Sequence, residues 1–228
     1  MCFSTTASFV SATVLTVIGI ATIKKTKEHS HLLFASIPFI FAAQQFSEGF
    51  VWLSLLHSNN LLLQQIPITI FMTIAVAIWP AWVPISIFFI EEKRNRKMIL
   101  GIFSGIGLLI SILSMYYLIN YNFSAQIMDY HIKYQFNMIY DGYLKLIIGL
   151  LYLIPTVISH FVSSIKKVNI MGLLVITSYL ITRFLFNDYI ISMWCFFSAI
   201  ISMMIYFILL EKSSTNEVKS MASIIQEY

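Results

Sequence analysis

Charge is the scarcest commodity in this sequence. Of 228 residues, 14 are Lys or Arg and 10 are Asp or Glu, so 11% are charged, against about 25% in a soluble domain. With 59% hydrophobic residues, a water-soluble fold has too little polar surface to cover its apolar content. The formal charge of +4 does not imply nucleic acid; where the charges fall matters more than their sum. Cysteine is nearly absent, with only Cys2 and Cys195. That excludes a disulfide framework and any all-cysteine zinc or iron–sulfur site, leaving at most one bridge or one shared soft-metal site. No His-Glu-x-x-His, phosphate-cradling glycine loop or Gly-x-Ser-x-Gly elbow is found. The last apolar stretch holds no lysine to anchor a retinal, and the histidine and aspartate spacing of ceramidase-like membrane hydrolases is missing too.

What is present is apolar sequence in long runs. A spanning helix needs about 20 mostly apolar residues at 1.5 Å rise each. Seven stretches qualify: Phe3 to Ile23, Leu32 to His57, Ile66 to Ile90, Met98 to Ile119, Tyr143 to Val162, Ile170 to Phe186, and Tyr189 to Leu210. The sixth and seventh are separated only by Asn187 and Asp188 and read as a tight helical hairpin, with one shared long helix as the alternative. The predicted fold is an all-α bundle of about seven transmembrane helices over residues 1–210, followed by a short tail, 211–228. Little room remains for a soluble domain.

Lys and Arg set the expected orientation. They fall in the first connection (Lys24, Lys25, Lys27), the third (Lys93, Arg94, Arg96, Lys97), the fifth (Lys166, Lys167) and the tail (Lys212, Lys219), while the even connections hold only Lys133. The positive-inside rule then predicts the amino terminus outside and the carboxyl terminus in the cytoplasm. A cleaved signal peptide would carry its basic residues before the first apolar run, not after it. The longest connection, Asn120 to Gly142, is predicted outside as a loop that caps a vestibule. Its Asn122-Phe123-Ser124 triplet is read as a chance glycosylation pattern. The tail, with Val218, Met221, Ala222 and Ile225 at helical spacing, is read as disordered rather than laid on the membrane.

Polar residues inside such runs are expensive, about 2.5–3.5 kcal/mol for a charge at helix centre, and by default signal function. Glu48 lies about 13 Å from the outer end of its span at 1.5 Å per residue. It shares an arc of about 100° with Gln44, Gln45 and Trp52. Such a narrow stripe points at protein, either as interhelical glue or as a ligand site. In the sixth span Arg183, flanked one turn away by Tyr179 and Asn187, either snorkels to the interface or pairs with Glu48. Asp141, Lys145 and Asp188 gather at the same end. Trp79-Pro80-Ala81-Trp82-Val83-Pro84 frees the carbonyls of Val76 and Pro80 from helical bonding, which predicts a kink or a local unwinding. Gly101 with Gly105, and Ser4, Ser8 and Ala12, read as small-residue helix packing. His57 and His131 are scattered, and Glu28, His29 and His31 are read as a solvated cluster.

The opening Met1-Cys2-Phe3-Ser4, with Ile37-Pro38 and the block Gln44-Gln45-Phe46-Ser47-Glu48-Gly49-Phe50-Val51-Trp52, resembles a bacterial family of uncharacterised integral membrane proteins. Its members begin Met-Cys-Phe-Ser and carry Gln-Gln-x-x-Glu-Gly-x-x-Trp; Thr5 stands here where alanine is expected. The resemblance covers the first quarter of the chain. It implies a bacterial inner-membrane location and marks Cys2, Gln45, Glu48 and Trp52 as motif positions, without implying an activity or a cofactor.

The functional expectation is a membrane protein, embedded in the lipid bilayer, that binds, senses or transports a small molecule or ion. Its pocket is expected in the outer half of the bundle, lined by Gln44, Gln45, Glu48, Trp52, Trp79, Tyr179 and Arg183. Two alternatives stand beside it. One is an intramembrane enzyme acting on lipid, with Glu48 as acid or base and His57 or His131 assisting; the other is a scaffold whose polar stripe is glue throughout.

Overall fold

The structure is a computed structural model, and it describes residues 4–58, 60–121, 123–128, 130–136, 143–185, 189, 191, 192, 197 and 199–210. These residues are mostly helical. α1 is Thr5–Lys25, started by Ser4, whose hydroxyl accepts from the Ala7 amide. A 3-10 turn (His29–His31) and a helical turn (Leu32–Ala35) lead into α2, Ile37–His57, with Pro38 in its first turn where a missing N–H costs nothing. α3 runs through Leu61–Met72, a π-helical stretch Thr73–Ile78 and Trp79–Ile90. α4 is Arg94–Asn120. α5 runs through Tyr143–Leu153, a second π-stretch Ile154–Ile158 and Ser159–Val162. α6 is Lys166–Leu185 and α7 is Ala199–Leu210.

Four of these, α1, α3, α4 and α6, are long and apolar enough to cross a membrane. α2 is also 21 residues long, and the Gln44, Gln45, Glu48 stripe is what sets it apart. Exposed apolar side chains run along the outside of the rods, among them Ile102, Leu109, Ile112 and Leu113 of α4, as expected of a surface facing hydrocarbon rather than water.

Each π-stretch contains or adjoins a proline. In π-helical register the carbonyl of Ala75 would accept from residue 80, but Pro80 has no N–H. The Tyr152 hydroxyl of α5 donates to that carbonyl instead, at 2.7 Å. The kink expected from Pro80 is therefore a register shift, and the freed carbonyl is one residue earlier than α-helical counting places it. Pro84 removes the α-helical donor to Pro80 O, and there α4 comes closest: a Cβ on Gly107 would lie 1.9 Å from Pro80 O. Gly101 and Gly105, expected to mediate packing, do not. A Cβ at Gly105 meets nothing within 4 Å and one at Gly101 meets only the Phe88 ring at 3.6 Å. Close approach belongs to Gly107, two residues outside the small-xxx-small pair.

The connection after α4, expected as a loop, contains an antiparallel hairpin. β1 (Phe123–Met128) pairs with β2 (His131–Phe136), Phe123 opposite Phe136 and Met128 opposite His131. Alternation drives it: Ala125, Ile132 and Tyr134 point inward, and Tyr130 in the two-residue turn takes the left-handed conformation with φ 63°. Tyr134 stacks on Phe71 of α3 at 4.6 Å. The hairpin thereby closes a cluster of Val51, Trp52, Ile68, Phe71, Met72 and Leu118. A second, larger core joins the opposite ends of α2 and α3 to α5, α6 and α7, through residues such as Phe34, Ile87, Val168, Met171 and Ile205.

Candidate functional site: a cavity between two unwound helices

The π-stretches of α3 and α5 flank a cavity of about 260 Å³. Ile37, Phe41 and Gln44 of α2, with Ala75, Val76, Trp79 and Val83 of α3, form one side. Gly149, Tyr152, Leu153, Thr156 and His160 of α5 face them, and Met171, Val175 and Tyr179 of α6 with Ile191, Ile201 and Ile205 complete the wall. Most of that surface is aliphatic or aromatic. A wide π-turn projects side chains and carbonyls differently from an α-turn, and such turns recur at functional sites.

Two predicted site residues are joined directly at this wall. The Trp79 indole N–H donates to Gln44 Oε1 at 2.8 Å, both groups being buried, and the Trp79 ring lies 4.3 Å from that of Phe41. Trp82, one turn on, donates to Leu33 O (3.1 Å) and Ser36 Oγ (3.2 Å), pinning the turn ahead of α2. Tyr179 reaches the cavity from α6.

Glu48 does not line the cavity. It is completely buried, accepting a short hydrogen bond from the Ser192 hydroxyl and a 3.3 Å bond from Gln45 Nε2. The acid thus ties α2 to the seventh apolar stretch. Gly49 beside it receives the Phe9 ring of α1, which packs against Phe46 (6.1 Å) and Phe50 (5.3 Å); a Cβ there would be 2.8 Å from the ring. Trp52 sinks into the hairpin-closed cluster. Gln44, Glu48, Gly49 and Trp52 thus serve four separate contacts: the cavity, the seventh stretch, α1 and the hairpin.

Residues 1–220 match the family of unknown function DUF6629. The chain belongs to this family. The match extends well past the first quarter on which the resemblance rested. No curated protein and no solved structure matches the chain.

The remaining predicted residues of this DUF6629 protein lie apart from the cavity. Arg183 is exposed on α6, and among the described residues no ion pair joins it to the buried Glu48. His57 is exposed at the end of α2, its Nδ1 3.2 Å from Leu53 O. His131 stacks on Tyr189 at 4.6 Å. Cys2, Cys195, Asp141, Asn187 and Asp188 lie outside the described residues. The cavity is also displaced from the expected position. Ile37, Val83, His160 and Met171 place much of it toward the ends of α2, α3, α5 and α6 nearest the basic connections, not around Glu48. His160, Tyr152 and Thr156 were passed over in the sequence, although Pro155 beside them marks the break in α5 just as Pro80 marks the break in α3.

At the basic end a second polar cluster locks the bundle. Glu91, at the close of α3, is 2% exposed. Its carboxylate accepts from the Ser164 amide (2.6 Å), the Ser164 hydroxyl (2.6 Å), the Ser163 hydroxyl (3.1 Å) and the Lys93 amide (3.0 Å). Arg96 donates to the carbonyls of Ser163 (2.6 Å) and Val162 (3.1 Å). His31, expected to be solvated, is buried nearby in the chain's first connection, 3.3 Å from Glu28.

Burial pushes the Glu91 carboxyl up, but the bonds from Ser164, Lys93 and Ser163 together outweigh it and hold the group below its ordinary value. A depressed folded-state value means the clasp's contribution is complete above about pH 4.5 and drains away as pH falls through the lower, folded value. Thermal unfolding followed against pH is expected to show this loss. Glu91→Ala should lower stability by about 2–3 kcal/mol at neutral pH and flatten the acid limb.

Proposed function

We propose that this protein is a multi-pass membrane protein of seven spans that binds a small, predominantly apolar molecule inside the bundle. The observation that carries the reading is the cavity itself: about 260 Å³, mostly apolar, with Gln44, Trp79 and Tyr179 in its wall, and bordered on two sides by π-helical stretches. Pockets that hold small molecules are concave and largely apolar with a few placed polar groups. The volume lies above the roughly 150 Å³ of an apolar cavity that accepts benzene. The alternation of basic connections supports an outside amino terminus, a cytoplasmic carboxyl terminus and a bacterial inner-membrane location. Glu48 favours the scaffold alternative for its own position, because its contacts tie helices together and leave the wall to others. Sensing and transport share this binding step, and nothing in the geometry assigns acid–base chemistry on lipid to Glu48.

Retention of tritiated naphthalene by the purified full-length protein in detergent tests the reading. Saturable binding is expected, and Val175→Phe, which carries a ring into the void, should weaken it at least tenfold. Equal retention by both proteins means that the probe partitions into detergent or surface, and the cavity is then not a binding site.

A further inference from the structure

The polar atoms around the cavity have an uneven chemistry. The Tyr152 hydroxyl spends its proton on Ala75 O (2.7 Å) and the Thr156 hydroxyl spends its proton on Tyr152 O (2.6 Å). The Trp79 N–H is taken by Gln44 Oε1 (2.8 Å). His160 is 3% exposed, and its Nδ1 lies 3.1 Å from Val157 O. A carbonyl can only accept, so Nδ1 carries a proton. In the neutral imidazole this leaves Nε2 as a bare acceptor. These four donors are therefore committed to protein, while the oxygen of Thr156 and the second nitrogen of His160, both on α5, keep lone pairs. Among the described residues lining the cavity none is Lys or Arg.

α6 holds His160 in place. A Cβ on Gly172 would stand 2.7 Å from the His160 Cβ, so the two backbones are in close contact. The Asn169 amide nitrogen, oriented to satisfy both its ends, donates to His160 O (2.7 Å) and Ser163 O (3.1 Å).

We propose that the cavity selects a neutral, mostly apolar molecule that donates a hydrogen bond, an alcohol or a phenol of about two fused rings' bulk, to acceptors presented by α5. This rests on the cavity being a binding site at all. It disfavours carboxylates and phosphates, whose charge no Lys or Arg among the described lining residues neutralises.

Competition against tritiated naphthalene on the purified full-length protein separates the two levels. Unlabelled 1-naphthol is expected to compete at least tenfold better than unlabelled naphthalene, and 1-naphthoate to compete worse than either. His160→Leu should erase the advantage of 1-naphthol over naphthalene, read as the ratio of the two within the variant; Thr156→Val, a smaller change, should reduce that ratio in the same direction if His160→Leu fails to fold. Equal competition by 1-naphthol and naphthalene overturns the inference and leaves the cavity reading standing. Tighter competition by 1-naphthoate overturns it as well, since the wall would then be cationic or donating. Absence of saturable naphthalene retention in the wild type removes both.

Discussion

Gly107→Ala is expected to destabilise the protein by about 3 kcal/mol or more, the upper end of the range for overpacking a core. The added methyl would fall 1.9 Å from Pro80 O and 2.7 Å from Pro80 C, whereas a carbon against a carbonyl oxygen rests at about 3.3–3.6 Å. Neither atom is on a flexible side chain, so α3 and α4 must separate. Pro80 adjoins Trp79, whose indole is bonded to Gln44, so that separation should also disturb the cavity. Naphthalene retention is expected to fall together with the unfolding temperature. Gly105→Ala is the control, since its methyl meets nothing within 4 Å; it should be neutral or slightly stabilising, because alanine favours the helix. Equal effects at the two glycines would show that the close approach of α4 to Pro80 is wrong.

Glu48→Leu should cost about 2–3 kcal/mol, because it strands the Ser192 hydroxyl and removes one acceptor from the Gln45 amide in a fully buried site. Glu48→Gln should cost less, since an amide oxygen still accepts from Ser192. Ser192→Ala combined with Glu48→Leu should be less harmful than the sum of the two, which is the signature of a direct contact. Neither Glu48 variant is expected to change naphthalene retention in the fraction that remains folded. Loss of retention in stable Glu48→Gln would return the acid to the binding site.

The sequence was informative where a single residue type carries a large energetic penalty. Apolar runs marked the helices, and the structure ends α2, α3 and α5 at His57, Ile90 and Val162, as read. Glu48 had to be buried with partners, and Pro80 had to disturb its helix. What could not be read was which partner each group finds, because that depends on how the rods rotate against one another. Gln44 and Glu48 share a stripe on α2, yet one faces Trp79 and the other Ser192. Arg183 and Glu48 have opposite charges, and α6 turns the arginine outward. The hairpin was legible in principle, since Ala125, Ile132 and Tyr134 alternate with polar neighbours, but a short period-2 signal is easily lost between long helical ones. His160 escaped because a lone histidine near a span's end looks interfacial until α6 is seen lying against it.

The Glu91 clasp also bears on the order in which this chain can be assembled. Its carboxylate and the serines that hold it are 72 and 73 residues apart, so α3 is synthesised, and α4 and α5 follow, before the lock exists. Until Ser163 and Ser164 emerge, the apolar contacts of Ile87 and Ile90 hold that end of α3 without the Glu91 bonds to α5's end. The step that makes the register permanent is thus a late one, and substitutions there should raise the yield of half-assembled chains more than they alter any single helix.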